Sequence, residues 1–262
     1  MYIASQLYEI FDRIWQYAIR EIMKTVIIIP ARLGSTRLAR KPLADIQGKP
    51  MIVRCLEHVE AANVAPIYVA TDSEEIKAAV EAHGGRVVMT DPNLPSGTDR
   101  AYAAVEAIGE KFDVVINVQG DQPILYKENI TGLIPALEGA DISTPVALMP
   151  DERDFEKSSV VKAVVALGNK ALWFTRGQTP FAWPEATDRS YYQHIGIYAY
   201  RYEALKRFVS LPPSPLELRE RLEQLRALEN GMTIKVSVVS ADQIPLAVDT
   251  AEDLEKARAQ KY

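Results

Sequence analysis

Four short, almost wholly apolar runs constrain this chain most: Val26 to Ile29, Ile67 to Ala70, Val87 to Met89 and Val114 to Val118. Each is too continuous for a strand with one wet face, so each reads as a strand covered on both sides. Helical patterns fill the gaps. Pro50 opens one helix at its first turn, and Asp72-Ser73-Glu74-Glu75 caps a second that Gly84 closes. A third runs from about Thr98 to Gly109. Short buried strands alternating with helices predict an α/β protein built on a Rossmann-like open, mostly parallel sheet.

The pattern changes after about Pro150. Val160 to Leu167 and Ala171 to Thr175 read as strands joined by a hairpin turn at Gly168-Asn169. Phe181 to Arg189 reads as a loop and His194 to Tyr200 as one more strand. Pro215 opens a helix from Leu216 to Asn230, Ile234 to Val239 returns as a strand, and Ala251 to Gln260 is a terminal helix. The domain therefore runs from 23 to 262, with a hairpin-rich insertion at about 150–215. Ahead of it, Ile3, Leu7, Ile10, Phe11, Ile14, Ala18 and Ile22 recur at helical spacing, so residues 1–22 read as an amphipathic helical extension. A docking helix, a partner-binding helix and a start codon assigned upstream of Met23 all fit that segment.

With a net charge of -5, the chain does not suit nucleic acid or an anionic membrane as a partner. It has no apolar run long enough to cross a bilayer and no secretory leader pattern, which places it in the cytoplasm. Cys55 is its single cysteine and sits in an apolar stretch, excluding an internal disulfide and a CxxC metal site.

Against this acidic background, Arg32, Arg37, Arg40 and Lys41 fall within ten residues, directly after the first strand. That is the carboxyl edge where open α/β sheets bind ligands. Gly34, Ser35 and Thr36 allow the backbone to approach closely, and guanidinium groups grip phosphate oxygens in pairs. The cluster suits a triphosphate, although it is neither GxxxxGK[ST] nor GxGxxG. Asp121, in Asn117-Val118-Gln119-Gly120-Asp121-Gln122-Pro123, ends an apolar strand at the same edge. Asp249, at the entry to the last helix, is a second carboxylate. Two such aspartates can share Mg2+ with phosphate oxygens and water, and Asp249 alone also fits a helix cap.

These segments, with SGTDR (96–100), HIGIYAYR (194–201), SPLE (214–217), LEQLRALE (222–229) and VDTAEDLE (248–255), resemble the 3-deoxy-manno-octulosonate (Kdo) cytidylyltransferase family from about Thr25 to the C-terminus. The resemblance implies a nucleotide-diphospho-sugar transferase type of fold, with the insertion used for dimerisation. It implies CMP transfer from CTP to Kdo for lipopolysaccharide synthesis, with Mg2+ on Asp121 and Asp249. Arg32, Ser35, Arg37 and Lys41 would hold the phosphates, and Ala70, Thr71, Asp72, Ser96 and Gly97 would lie near the nucleotide. Asp121, Arg37, Lys41 and Arg32 would carry catalysis. Gln119, Arg176, His194, Tyr198, Glu220 and Gln224 would line the sugar pocket. Independently, Glu220 and Gln224 would share one face of a continuous helix.

The chain departs from the family pattern at Gly177-Gln178-Thr179-Pro180 and at Asp99 of SGTDR, which bears on the sugar accepted. The expected partners are CTP, an acidic eight-carbon sugar and a second copy of the chain. Two rivals are a cytidylyltransferase for another acidic sugar, such as 8-amino-Kdo or a nonulosonate, and a nucleotide-binding regulatory module without turnover.

Overall fold

The structure is a computed structural model describing residues 23–34, 38–149, 152–187 and 190–260. The extension at 1–22 lies outside the described residues. In chain order the strands are β1 (Thr25–Ala31), β2 (Asp45–Ile46), β3 (Lys49–Pro50), β4 (Ile67–Thr71), β5 (Val87–Met89), β6 (Val114–Asn117) and β7 (Ile142–Leu148). They continue as β8 (Lys162–Ala166), β9 (Lys170–Thr175), β10 (Tyr192–His194), β11 (Tyr198–Arg201) and β12 (Ile234–Val239). The helices are α1 (Met51–Ala61), α2 (Glu74–Glu81), α3 (Gly97–Ile108), α4 (Glu128–Thr131) and α5 (Leu133–Ala136). After them come α6 (Tyr202–Ser210), α7 (Pro215–Glu220), α8 (Gln224–Glu229) and α9 (Ala251–Ala259).

The four apolar runs form the expected parallel unit, β5-β4-β1-β6, with α1 and α2 on one face and α3 on the other, but β5, at the sheet edge, is half-buried and ends in exposed Met89 rather than being covered on both sides. β1 is buried along its whole length, and Pro30 lies within it opposite Ala70. A proline fits there because β6 pairs with β1 only from Thr25 to Ile28, so the ladder on the side that the Pro30 nitrogen faces has already ended. Ser73 caps α2 by accepting from the Ile76 amide, and Ser96 caps α3 by accepting from Thr98 and Asp99. Gly109, at φ +71°, closes α3 in the left-handed conformation that glycine adopts freely.

Beyond β6 the sheet is mixed rather than mostly parallel. β11 runs antiparallel to β6 and β7, whereas β12 runs parallel to β7. β10 pairs with both β7 and β8, β8 with β9, and β9 with β12, so β7-β10-β8-β9-β12 closes on itself as a ring. The 150–215 insertion thus belongs to the main sheet and supplies three of the five strands of this ring, β8, β9 and β10. The hairpin turn stands as expected, with Gly168 and Asn169 at φ +71° and +60°.

Two expected elements are interrupted. The strand expected over His194 to Tyr200 breaks at Ile195-Gly196-Ile197, and β10 and β11 then lie end to end along β7. The Thr144 hydroxyl stitches the break, 2.8 Å from the Ile197 carbonyl, 3.1 Å from that of Ile195 and 3.0 Å from His194 Nε2. The helix expected over Leu216 to Asn230 is two short helices, α7 and α8, separated at Arg221, whose φ is +54°. β7, α4 and α5, whose apolar residues lie between better-marked motifs, complete the fold unanticipated.

Candidate active site

A cleft of about 330 Å³ opens at the carboxyl edge of β1, lined by Pro30 to Arg32, Gly34, Lys41, Ser96, Gly97, Arg100 and Gln119 to Asp121. Three independent turns meet there. The chain leaves β1 into the basic loop, leaves β6 into Gln119-Gly120-Asp121, and enters α3 at Ser96-Gly97. Gly120 makes the meeting possible. A Cβ at that position would fall 2.9 Å from the Pro30 carbonyl oxygen and 3.1 Å from Ile52 Cδ1. Gly97 is similarly tight, with its ideal Cβ 3.3 Å from Pro30 Cγ and 3.4 Å from Gln119 Oε1. The α3 N-terminus therefore borders the cleft, where the positive end of its dipole attracts an anion while its Thr98 and Asp99 amides are held by the Ser96 hydroxyl.

Lys41 sits at the junction. Its ammonium donates to Asp121 Oδ2 at 2.8 Å, to the Val248 carbonyl at 2.9 Å and to Asp249 Oδ1 at 3.3 Å. The two aspartates named from sequence thus converge from segments 128 residues apart. A backbone bond from the Val248 amide to the Asp121 carbonyl, 2.9 Å long, ties their chains together. Thr250 and Asp253 form a capping box at the entry to α9, so the helix cap belongs to Thr250 and Asp249 is turned toward Lys41. Carboxylates arranged around one cation provide the charge and donor set that Mg2+ takes beside phosphate.

Arg32 lines the cleft and is exposed. Ser35 and Arg37 lie outside the described residues. Arg40 does not join the cluster: its guanidinium pairs with Glu75 on α2 through two hydrogen bonds, one of them 3.1 Å long. Ala70, Thr71 and Asp72 end β4 beside Ala31. Asp72 accepts from Arg100 Nη2 at 3.2 Å, and Arg100 Nη1 reaches Thr90 Oγ1 at 2.6 Å. Arg100 is 2% exposed yet lines the cleft, a site residue that sequence reasoning missed. The signal was its position in SGTDR, one helical turn beyond the cap.

The residues assigned to the sugar form a second group. Gln119 lines the cleft, and Gln119, Asn117, Thr98 and Glu223 make a hydrogen-bonded chain leading from it. Glu223, also missed, has its pKa raised by burial and accepts from the Thr98 hydroxyl at 2.8 Å. Tyr198 packs 5.5 Å from His194, ring to ring, and burial raises its pKa. His194 also meets Phe174 edge-on, and burial lowers its pKa to about 3, leaving the ring neutral.

Glu220 and Gln224 do not share a helix face, because the left-handed Arg221 separates them. Glu220 instead accepts from the Thr175 hydroxyl and the Arg176 amide, both at 2.9 Å. Gln224 is buried, and its Nε2 has no partner in the structure. Arg176 faces carbonyl oxygens: its Nε donates to Glu220 at 2.9 Å, Nη1 to Ser158 at 2.9 Å and Nη2 to Arg221 at 3.4 Å. It clamps β9 onto α7 in this structure.

The family model described as cytidylyltransferase matches residues 26–234. The chain is similar to the 3-deoxy-manno-octulosonate cytidylyltransferase of Rhodopseudomonas palustris (strain BisB18), 49% identical over 90% of this chain and 96% of that one. It is likewise similar to the protein of the same name from Parvibaculum lavamentivorans, 50% identical over 89% of this chain and 91% of that one. A solved structure described as CMP:2-keto-3-deoxy-manno-octonic acid synthetase complexed with CTP superposes with a TM-score of 0.82 at 38% identity, covering 90% of this chain and 97% of the other. The fold and the cleft therefore come with a shown ancestry: the chain belongs to the cytidylyltransferase family, among the 3-deoxy-manno-octulosonate cytidylyltransferases.

Proposed function

We propose that the protein transfers the cytidylyl group of CTP to the anomeric hydroxyl of Kdo, giving CMP-Kdo and pyrophosphate. The carrying observation is the meeting of Arg32, Lys41, the Ser96-Gly97 helix start and the Asp121–Asp249 pair at one strand edge. Relatives sharing about half their residues with this chain bear that enzyme's name. In the reaction the sugar oxygen bonds to the α-phosphorus, the bond to the β-phosphate oxygen breaks, and the hydroxyl proton is released. The protein contributes mainly position and charge. Arg32, Ser35, Arg37 and Lys41 hold the phosphates and stabilise charge on the departing pyrophosphate, helped by the positive end of α3. Gln119 and the group around Glu223, Tyr198 and His194 orient the sugar.

Asp121 and Asp249 would hold Mg2+. Their sharing of a single ammonium is the observation that fits them to a cation. Bound there, Mg2+ supplies neutralisation of phosphate charge. Among the described residues no helix is long and apolar enough to cross a membrane. We read the enzyme as cytoplasmic, where CTP is made, and as a homodimer whose contacts come from 150–215. Phe181 and Trp183, both well exposed there, support that reading. Light scattering checks it, and a concentration-independent monomer refutes it.

The deciding experiment measures pyrophosphate release from CTP with Kdo, 8-amino-Kdo or sialic acid, with and without EDTA. Release with Kdo, lost on chelation and restored by Mg2+, is expected. Preferred use of another sugar corrects the substrate, and absence of release with every sugar favours a silent nucleotide-binding module.

A further inference from the structure

Arg40 occupies the left-handed region, with φ 55° and ψ 28°, immediately before the 3-10 turn Lys41–Leu43. Its backbone anchors that turn: the Leu43 amide donates to the Arg40 carbonyl at 2.9 Å, and Ala44 to that of Lys41 at 3.1 Å. A residue with a Cβ resists this conformation, which glycine adopts without cost. Something must hold Arg40 there, and the two-pronged pairing of its guanidinium with Glu75 in the first turn of α2 is on hand to do so. The next residue is Lys41, whose ammonium gathers Asp121, Asp249 and Val248.

We infer that Arg40 is a positioning residue rather than a phosphate ligand: its tether to Glu75 holds the left-handed step that aims Lys41 into the cleft. The inference rests on the reading of this loop as the CTP-phosphate site. An arginine that only added charge to a basic cluster would have no need of a left-handed backbone, and Arg40, although exposed, is held by a bidentate carboxylate partner. A phosphate ligand would turn toward the cleft rather than toward α2.

The two roles predict opposite behaviour of the full-length enzyme in steady-state pyrophosphate release. If Arg40 positions Lys41, R40A keeps the backbone penalty without the tether, and KM for CTP rises about three- to fivefold. KM for Kdo stays as it is. R40G, which removes the charge but needs no tether, recovers to within about twofold of wild type. E75Q weakens CTP use in the wild-type background and has no effect in the R40G background. If instead Arg40 binds phosphate, R40G is as damaged as R40A and E75Q is neutral or improved, and the inference falls. K41A serves as the control on the underlying reading: unchanged CTP kinetics there overturn the phosphate assignment of the loop, and the positioning role with it.

Discussion

The two halves of the sheet handle their cations in opposite ways. In the parallel half, Arg32 lines the cleft, Arg100 pairs with Asp72, and Lys41 is shared by two aspartates at the strand edge. In the ring, Lys162 is 1% exposed and donates to the carbonyls of Lys157, Val160 and Arg176 at 3.0, 2.9 and 2.7 Å. Arg176, the next link, donates to three more carbonyls. These cations of the first half gather at the cleft, and those of the second lock irregular backbone. Burial, with the Arg176 guanidinium nearby, lowers the pKa of Lys162. A cation therefore signals a binding site only after its acceptors are known.

Substitutions on each side test this contrast. Asp121→Asn should lower turnover by roughly 100-fold or more while leaving thermal stability nearly intact, the scale of losing one electrostatic stabiliser. Wild-type rates in that variant would remove Asp121 from the chemistry. Lys162→Met should do the reverse. Stripping the shared donor from three carbonyls should cost about 2–3 kcal/mol of stability, read from denaturant melts, with CTP kinetics preserved. An unchanged melting curve would mean the ring does not depend on its buried cation.

Arg176→Ala sharpens the boundary between the halves. As a sugar-carboxylate ligand it should raise KM for Kdo about tenfold and leave KM for CTP unchanged. As a clamp alone it should lower the melting temperature without that split. We expect both effects, with lysine restoring charge but not the three-carbonyl grip.

The effect that vanishes at neutral pH concerns His194. Its folded pKa of about 3 lies below the ordinary value, so the unfolded chain binds the extra proton as pH falls below about 6.5. His194 therefore subtracts stability progressively between about pH 6.5 and 3 and not at neutral pH. His194→Gln should flatten that acid decline in thermal melts. Parallel curves for the two proteins would show that the ring is protonated in the fold.

The legibility of the chain follows the same division. β1, β4 and β6 were readable because burial leaves a nearly uninterrupted apolar run, and β5 showed the same apolar run although it is a half-buried edge strand; site residues at the carboxyl ends follow from topology. Asp121 and Asp249 were readable as acids at chain transitions, and Lys41 proves to be what joins them. Arg40 was misplaced because charge clustering does not reveal backbone φ. Arg100 was passed over because an arginine one turn into a helix resembles any solvated helix residue until its burial is known. In the ring, HIGIY alternates like one strand, yet Gly196 interrupts it and the Thr144 hydroxyl from β7 replaces the ladder bonds. RERLEQLR has helical periodicity throughout, and no local signal outweighs it at Arg221. Contacts distant in sequence decide both cases.

Closure of the ring has a consequence for how the molecule meets its own kind. Among the described strands of the main sheet, β5 alone has a neighbour on only one side, and it is three residues long. An open sheet of this breadth would present a second row of free amides and carbonyls, ready to template an intruding chain. Here the far border is folded back on itself, the ring closing between β9 and β12 through the single pair Lys235–Lys170, and the surviving border at β5 is too brief to seed an extended ladder. Self-association by strand addition is thereby discouraged on both flanks, leaving side-chain surfaces as the route by which two copies can join without polymerising.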